Sequence, residues 1–365
     1  MSFFSDLFKK KSSPLPPAPK KTRTDLEGSL FVRYEEQDGK LNSVFIKDRP
    51  PQSEEKKILN DIFDIIESVP EGKKLITDVA CAGYKIHFDT FRGASAGSCN
   101  PGEKRIMLCP ANHVNKAAIA ASLVHEMTHA MQDERSEGLL RDCSAYNMAD
   151  QVKFLRAAEA SAWMEEAKFA YQIKETHPEV LKHVEHVPMY QAFAAEMKRS
   201  EDVGKAGAAA FKSWYGYKEY QTGYENQHIS IIKNRTYDRL KKQDSRAFRQ
   251  SMPSEDVLKH TIISENVSIK SEFLTTPEAF SISDDAVKSF KAISKGYAAK
   301  FLTAVKDTSV GNMYSYETGK LVSDIGTVLK KEEKNNASVM SALTTISKTQ
   351  ADKKAVLMAT KKHTR

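Results

Sequence analysis

The 365-residue chain contains no apolar run of 18 residues or more, which excludes a membrane-spanning helix as an expectation. It has only four cysteines, Cys81, Cys99, Cys109 and Cys143, and none stands in a CxxC pair. That scarcity excludes a disulfide framework and a thiolate zinc site, so four reduced thiols are expected, Cys99 and Cys109 flanking one strand among them. An export signal needs positive charge followed by an apolar core. Here Phe3, Phe4, Leu7 and Phe8 come first and Lys9-Lys10-Lys11 follow, the reverse order over too short a stretch. The expectation is a cytoplasmic protein. A phosphate loop is missing too, because the Gly/Ser-rich segment from Gly93 to Gly102 lacks the GxxxxGK[ST] arrangement.

Acid is scarce at the ends and not between them. Residues 1–24 hold six Lys/Arg against one Asp, and residues 330–365 hold nine against three acids. The ends therefore carry +11 of a net +7, and residues 25–329 carry −4. With an acidic body and no basic groove interleaved with aromatics, nucleic acid is not an expected partner. The basic ends read as solvated segments.

What is present is a strand-poor, helix-rich pattern. Residues 30–34 and 44–46 flank Asp38-Gly39, a hairpin turn dipeptide. Ile58, Leu59, Ile62, Ile65 and Ile66 form one face of a helix opened by Ser53 and closed before Pro70 and Gly72, and a second short helix runs to about Ala82. Strands are expected over Tyr84–Phe88 and Lys104–Leu108. A helix follows from near Asn115, and beyond residue 150 the pattern is helical, broken near Pro178, Pro188, Gly204, Gly216 and Pro253. The fold class expected is α+β, mainly helical: a small antiparallel sheet ahead of one key helix, then an all-helical C-terminal region. Its organisation divides into a basic, proline-rich segment (1–25), a core (26–175), a helical region completing or flanking the cleft (176–329) and a basic tail (330–365).

The key helix spans Ala117 to Gln132, without Gly or Pro and rich in Ala, Leu, Val and Met. His125 and His129 stand four apart, so both imidazoles leave one face a turn apart and can share a metal ion. Glu126, offset by one residue, can reach water beside that ion without binding it, the position of a general base. Ala120, Ala121, Leu123 and Val124 place the pair in a core. Two histidines bonded to backbone carbonyls are the structural alternative.

The run HEMTHAMQD (125–133) resembles the active-site helix of the zincin metallopeptidases, and the resemblance covers this helix and its immediate surroundings. It implies a Zn2+ cofactor, a peptide or protein substrate, and a strand before the motif whose edge pairs with that substrate, the place of Lys104–Leu108. The metzincin HxxGxxH extension is absent, since Ala130 to Arg135 follow His129. The gluzincin pattern, a Glu on a later helix, is the alternative source of a third ligand.

Glu159 fits that role. It lies among Ala157, Ala158 and Ala160 on the apolar stripe of a helix over Gln151–Ile173, where a carboxylate needs a compensating cation. No Asn-Glu or Glu-Asp pair accompanies it, unlike the better-known gluzincin signatures. Glu166 shares the face and is the second candidate; Glu165 points elsewhere. A salt bridge from Glu159 to Arg156 or Arg141 is the structural alternative. The histidines His177, His183 and His186 read as a solvated face, and His87 and His113 as structural. One of Tyr217, Tyr220, Tyr224 or His228 is a candidate donor to a developing oxyanion, although the aromatic run 211–228 reads foremost as core. The function expected is zinc-dependent peptide hydrolysis with His125, His129 and Glu159 as ligands and Glu126 as base. The rival is a catalytically silent metal-binding interaction protein of zincin shape.

Overall fold

A computed structural model describes residues 53–88, 96–110, 115–248, 250–265 and 276–301, with 267, 269, 273 and 314–315. Both basic ends, the hairpin expected over 30–46 and His113 lie outside the described residues. Helix α1 (Ser53–Glu67) buries Leu59, Ile62, Ile65 and Ile66 of the stripe that spacing predicts, with Ile58 half-buried, and buries Phe63 besides. It meets α2 (Pro70–Cys81) at a tight corner. Pro70 supplies the first helical turn, and Gly72 lies so close to α1 that a Cβ there would stand 2.1 Å from the Ile66 carbonyl oxygen.

The sheet is mixed where an antiparallel one is expected. β1 (Lys85–Phe88) pairs in parallel with β3 (Arg105–Leu108), and β2 (Gly97–Asn100) pairs antiparallel with the other side of β3. A short turn joins β2 to β3: Asn100 Oδ1 accepts from Glu103 N–H at 3.3 Å, and Lys104 takes a left-handed φ of 48°. A turn that short forces an antiparallel pair. β1 enters on the free flank of β3 in the same direction as β3. The Gly/Ser-rich loop is thus half strand, and β3 is the sheet's centre, not its edge.

Two helices carry the core. α3 (Lys116–Arg135) is buried nearly all round, from Ala117 to Ala130 and on to Gln132 and Asp133. α4 (Met148–Ile173) packs against it, burying Ala157, Ala158, Ala160, Ala162, Ala167 and Ala170. With alanines at the contact, the two backbones approach closely. Behind them lie the short α5 (Leu181–Val184), α6 (Pro188–Ser200), α7 (Val203–Gly216), α8 (Lys218–Lys241), α9 (Ser254–Thr261) and α10 (Asp284–Phe301), with a two-residue pair of strands, β4 (Ser281–Ile282) and β5 (Tyr314–Ser315). Breaks fall near Pro178, Pro188, Gly204, Gly216 and Pro253 as composition predicts, the one near Gly204 at Glu201-Asp202 between α6 and α7. One hydrophobic cluster runs from Leu59 to Phe280, so the late helices complete the core begun by the early ones. Among the described residues, no helix is long and apolar enough to cross a membrane. None of the four cysteines, all of them among the described residues, is in a disulfide.

A buried ion pair ties α8 to α4. Arg156, fully buried, donates to Glu225 Oε2 at 2.9 Å and to the Ser281 carbonyl, and Glu225 also accepts from Ser283 N–H at 3.1 Å. Removing one partner strands a buried charge. Glu225→Ala should therefore lower stability by about 3–5 kcal/mol, read as a shift of the urea midpoint; a change below about 1 kcal/mol would mean that water reaches Arg156.

Candidate metal centre

The site is built at the α3–α4 contact. Asn115 caps α3 by accepting from Ala118 N–H at 2.8 Å, and Asn147 caps α4 by accepting from Asp150 N–H at 2.9 Å. Both helices then run uninterrupted through the site. His125, Glu126 and His129 are each 7–8 % exposed. Glu159 projects from α4 toward both histidines: its Oε2 lies 3.7 Å from His125 Nε2 and 3.5 Å from His129 Nε2. One donor atom from each of the three falls within 4.8 Å of the others.

The salt bridge weighed against a ligand role is not made. Arg156 serves Glu225, and Arg141 pairs with Asp133 at 2.8 Å. Glu159 Oε2 is instead buried without a hydrogen-bond partner. Ligands about 2.0–2.1 Å from a tetrahedral zinc lie about 3.3 Å apart, close to the spacings seen. The donor set of two imidazoles and a carboxylate suits that ion as well.

The outer nitrogens are held by partners that set each ring's tautomer. His125 Nδ1 lies 3.1 Å from Glu166 Oε2; the carboxylate can only accept, so Nδ1 carries a proton, and when the ring is neutral the lone pair is on Nε2. His129 Nδ1 lies 2.9 Å from Gln132 Oε1. Gln132 is oriented by its amide nitrogen, which donates to the Ala158 carbonyl at 3.0 Å and the Thr261 carbonyl at 2.8 Å. Its oxygen must therefore face His129 and accept. Both Nε2 atoms end up facing Glu159.

Glu166, the second candidate for third ligand, is thus placed behind His125 and not beside the pair. Its other oxygen lies 3.0 Å from His183 Nε2, so His183 is drawn partly inward by a buried carboxylate, against the solvated face expected of it. His186 is exposed as expected, and His177 lies 3.6 Å from Glu179. Sequence reasoning misses Gln132 altogether. Its signal is its i+3 offset from His129, which puts it on the same face.

Three carboxylates, Glu126, Glu159 and Glu166, stand among three imidazoles, His125 and His129 in the interface and His183 at its edge. Burial opposes protonation of His125, but the nearby Glu159 carboxylate and the bond to Glu166 outweigh that and raise it to about 10. His129 is raised as well, burial again being outweighed, chiefly by the Glu159 charge. Burial alone would raise Glu159; the His129 charge and the closeness of His125 overcome it and hold the carboxyl far below the usual range. Glu166 is likewise held at about 2 against burial by His125 and His183. Glu126 goes the other way: burial, only partly offset by the imidazolium charges, raises it. One buried acid is kept ionised and its neighbour is made more basic, the division that an anionic ligand and a proton acceptor require.

Glu126 is packed under the outer strand. A Cβ on Gly97 of β2 would stand 2.9 Å from Glu126 Cγ and 3.1 Å from its Oε1. The strand beside the motif helix is therefore β2, and the expected edge, Lys104–Leu108, is paired on both sides.

An aromatic wall closes the opposite flank. Trp163 packs edge-on against His125 (5.1 Å) and Tyr220 (5.2 Å) and donates Nε1–H to Tyr224 Oη at 3.3 Å. Phe211, Trp214 and Tyr215 are core, and Tyr217 is exposed. Burial first, and then the Glu159 charge, push the Tyr224 hydroxyl well above its usual pKa. Burial lowers His228 to about 3, and its Nδ1 is buried without a hydrogen-bond partner. Tyr224 and His228 are thus the two of the four donor candidates that feel Glu159 electrostatically.

Residues 42–258, more than half of the chain, match the model of a family described as "Putative metallopeptidase family (DUF6782)". The chain belongs to this family. No curated protein matches the chain, and no solved structure does. The span shared with the DUF6782 family holds His125, Glu126, His129, Glu159, Glu166, His183 and Tyr224, and it stops at Leu258, just before Thr261. The family's description names a peptidase and a metal but not which metal.

The bonds around Glu166 generate a test within this family member. Glu166→Ala frees the His125 ring and should weaken metal affinity by about 10- to 100-fold in competition with a chelator. His183→Ala, removing only the further partner, should cost less. Unchanged affinity in Glu166→Ala would mean that the ring is held by its packing on Trp163 alone.

Proposed function

We propose that this chain is a zinc-dependent peptidase whose ion is held by His125 Nε2, His129 Nε2 and Glu159, with Glu126 as the general base. One observation supports this most: a buried carboxylate oxygen, without a hydrogen bond, stands at ligand spacing from two imidazole nitrogens that are already oriented toward it. Zinc at such a site supplies Lewis acidity, polarising a peptide carbonyl and acidifying water.

The chain's own residues do the rest. Glu126 takes the proton of the attacking water, and its burial makes it basic enough to hold it. It then returns the proton to the nitrogen of the departing amine. Gly97 keeps β2 close against Glu126, limiting where that carboxylate can swing. Tyr224 stays protonated across the physiological range and offers its O–H to the oxygen that gains charge. Glu166 and Gln132 hold the two ligand rings without touching substrate.

Two variants separate binding from turnover. Glu126→Gln keeps the three ligands and should retain about one zinc per chain while losing hydrolysis of a denatured protein substrate by roughly 100-fold or more. Glu159→Ala should lose both. Zinc content by atomic emission reads the first quantity and peptide release the second. Full zinc in Glu159→Ala would sink the ligand assignment, and full activity in Glu126→Gln would sink the base.

Tyr224→Phe tests the oxyanion donor. It should lower kcat by about 100- to 1000-fold, with zinc content and KM little changed. An unaltered kcat would return Tyr224 to the aromatic wall as packing.

A further inference from the structure

A groove of about 370 Å³ opens along α8, beside the aromatic wall of the metal centre. Glu219, Tyr220, Gly223, Tyr224 and Gln227 line it. They fall in two rows at four-residue spacing, so one face of the helix carries them all. Tyr224 belongs to both places: it lines the groove, while its hydroxyl accepts from Trp163 Nε1–H at 3.3 Å and feels the Glu159 charge. Tyr220, half-buried, meets Trp163 edge-on, and Trp163 meets His125 in the same way. One ring therefore separates the groove wall from His125.

Gly223 keeps the groove open. A glycine inside a helix is less stable than alanine there, and the fold does not ask for this one. A Cβ at Gly223 would meet no atom within 4 Å, and its φ is not left-handed. A larger residue would instead stand in the groove. Glu219 supplies the charge: it is exposed, it is the one charged group lining the groove among the described residues, and among them no cation is paired with it. The rings of Tyr220 and Tyr224 lie nearly parallel, 21° apart in plane and 6.4 Å between centroids. Burial, and then the Glu166 charge, raise the Tyr220 hydroxyl to about 12, so that ring stays neutral and its face attracts cations.

We propose that this groove holds an arginine side chain of the peptide substrate, close to the bond that is cleaved, with its guanidinium on the tyrosine rings and beside the Glu219 carboxylate. Given the peptidase reading, on which this rests, the substrates are peptides with a basic residue near the scissile bond. A planar guanidinium stacks on aromatic faces and pairs with a carboxylate at the same time, which an ammonium does less well. Glu219 stands in water, so its share of the preference is small and weakens as salt is added.

Binding and turnover are read separately. Binding is followed by tryptophan fluorescence in the full chain carrying Glu126→Gln, because Trp163 stands beside the groove and the other tryptophan, Trp214, is core. The probes are N-acetyl-Ala-Arg-Ala-amide and the same peptide with citrulline, which has arginine's shape without its charge. The arginine peptide should bind about tenfold more tightly, as a ring contact and an exposed ion pair together allow. Glu219→Gln should reduce that preference about threefold. Gly223→Leu suits a helix but fills the groove, and it should abolish the preference with zinc content unchanged. In digests of a denatured protein by the chain with Glu126 intact, arginine should recur at one fixed position beside the bonds cut. Arginine-selective binding that depends on Glu219, with no bond cut in any substrate, would sink the peptidase reading and leave the groove as a peptide site. Equal binding of the two probes, or a preference that survives Gly223→Leu, would overturn the proposal.

Discussion

Three carboxylates and two imidazoles share the interface between α3 and α4, and the arrangement of the rest answers to that buried charge. An uncompensated carboxylate is costly in such surroundings, so each one has a defined counterpart. Glu166 is spanned by His125 and His183, and Glu126 lies under β2 between the imidazolium charges and the sheet. Glu159 turns Oε2, which has no hydrogen bond, toward the two histidines. The alanines of α4 let the helices come close enough for a carboxylate on one to reach imidazoles on the other.

The late helices hold this interface rather than merely lining it. Thr261, at the end of α9, accepts from the amide that fixes His129, although it is 129 positions away from Gln132 in the chain. Arg156, three residues before Glu159, is clamped by Glu225 of α8 and by Ser281. The orientation of both α3 and α4 therefore depends on residues beyond 220. A hydrophobic cluster with members from Leu59 to Phe280, and a second that joins Met148 and Val152 of α4 to Ile232 of α8 and Phe290 of α10, are the packing counterpart of those bonds.

The surroundings of the site are also asymmetric. β2 presses on Glu126 from one flank, while Trp163, Tyr220 and Tyr224 wall the other. The aromatic side holds groups that stay protonated, and the strand side holds the group made more basic.

Much of the candidate site is legible in the amino-acid sequence. The i, i+4 histidines, the glutamate between them and the helix that carries them follow from local periodicity, because helix geometry alone puts side chains four apart on one face. The cost of burying Glu159 among alanines is legible for the same reason: burial and charge are read from neighbours in the chain. Tertiary structure alone decided what depends on contacts between distant segments. It placed Glu166 behind His125, drew His183 inward, and made Gln132 the support of His129 through a carbonyl far along the chain. It also turned a glycine-rich loop into the strand over Glu126 and moved Lys104–Leu108 from edge to centre, because strand order is set by pairing and not by the pattern within a strand.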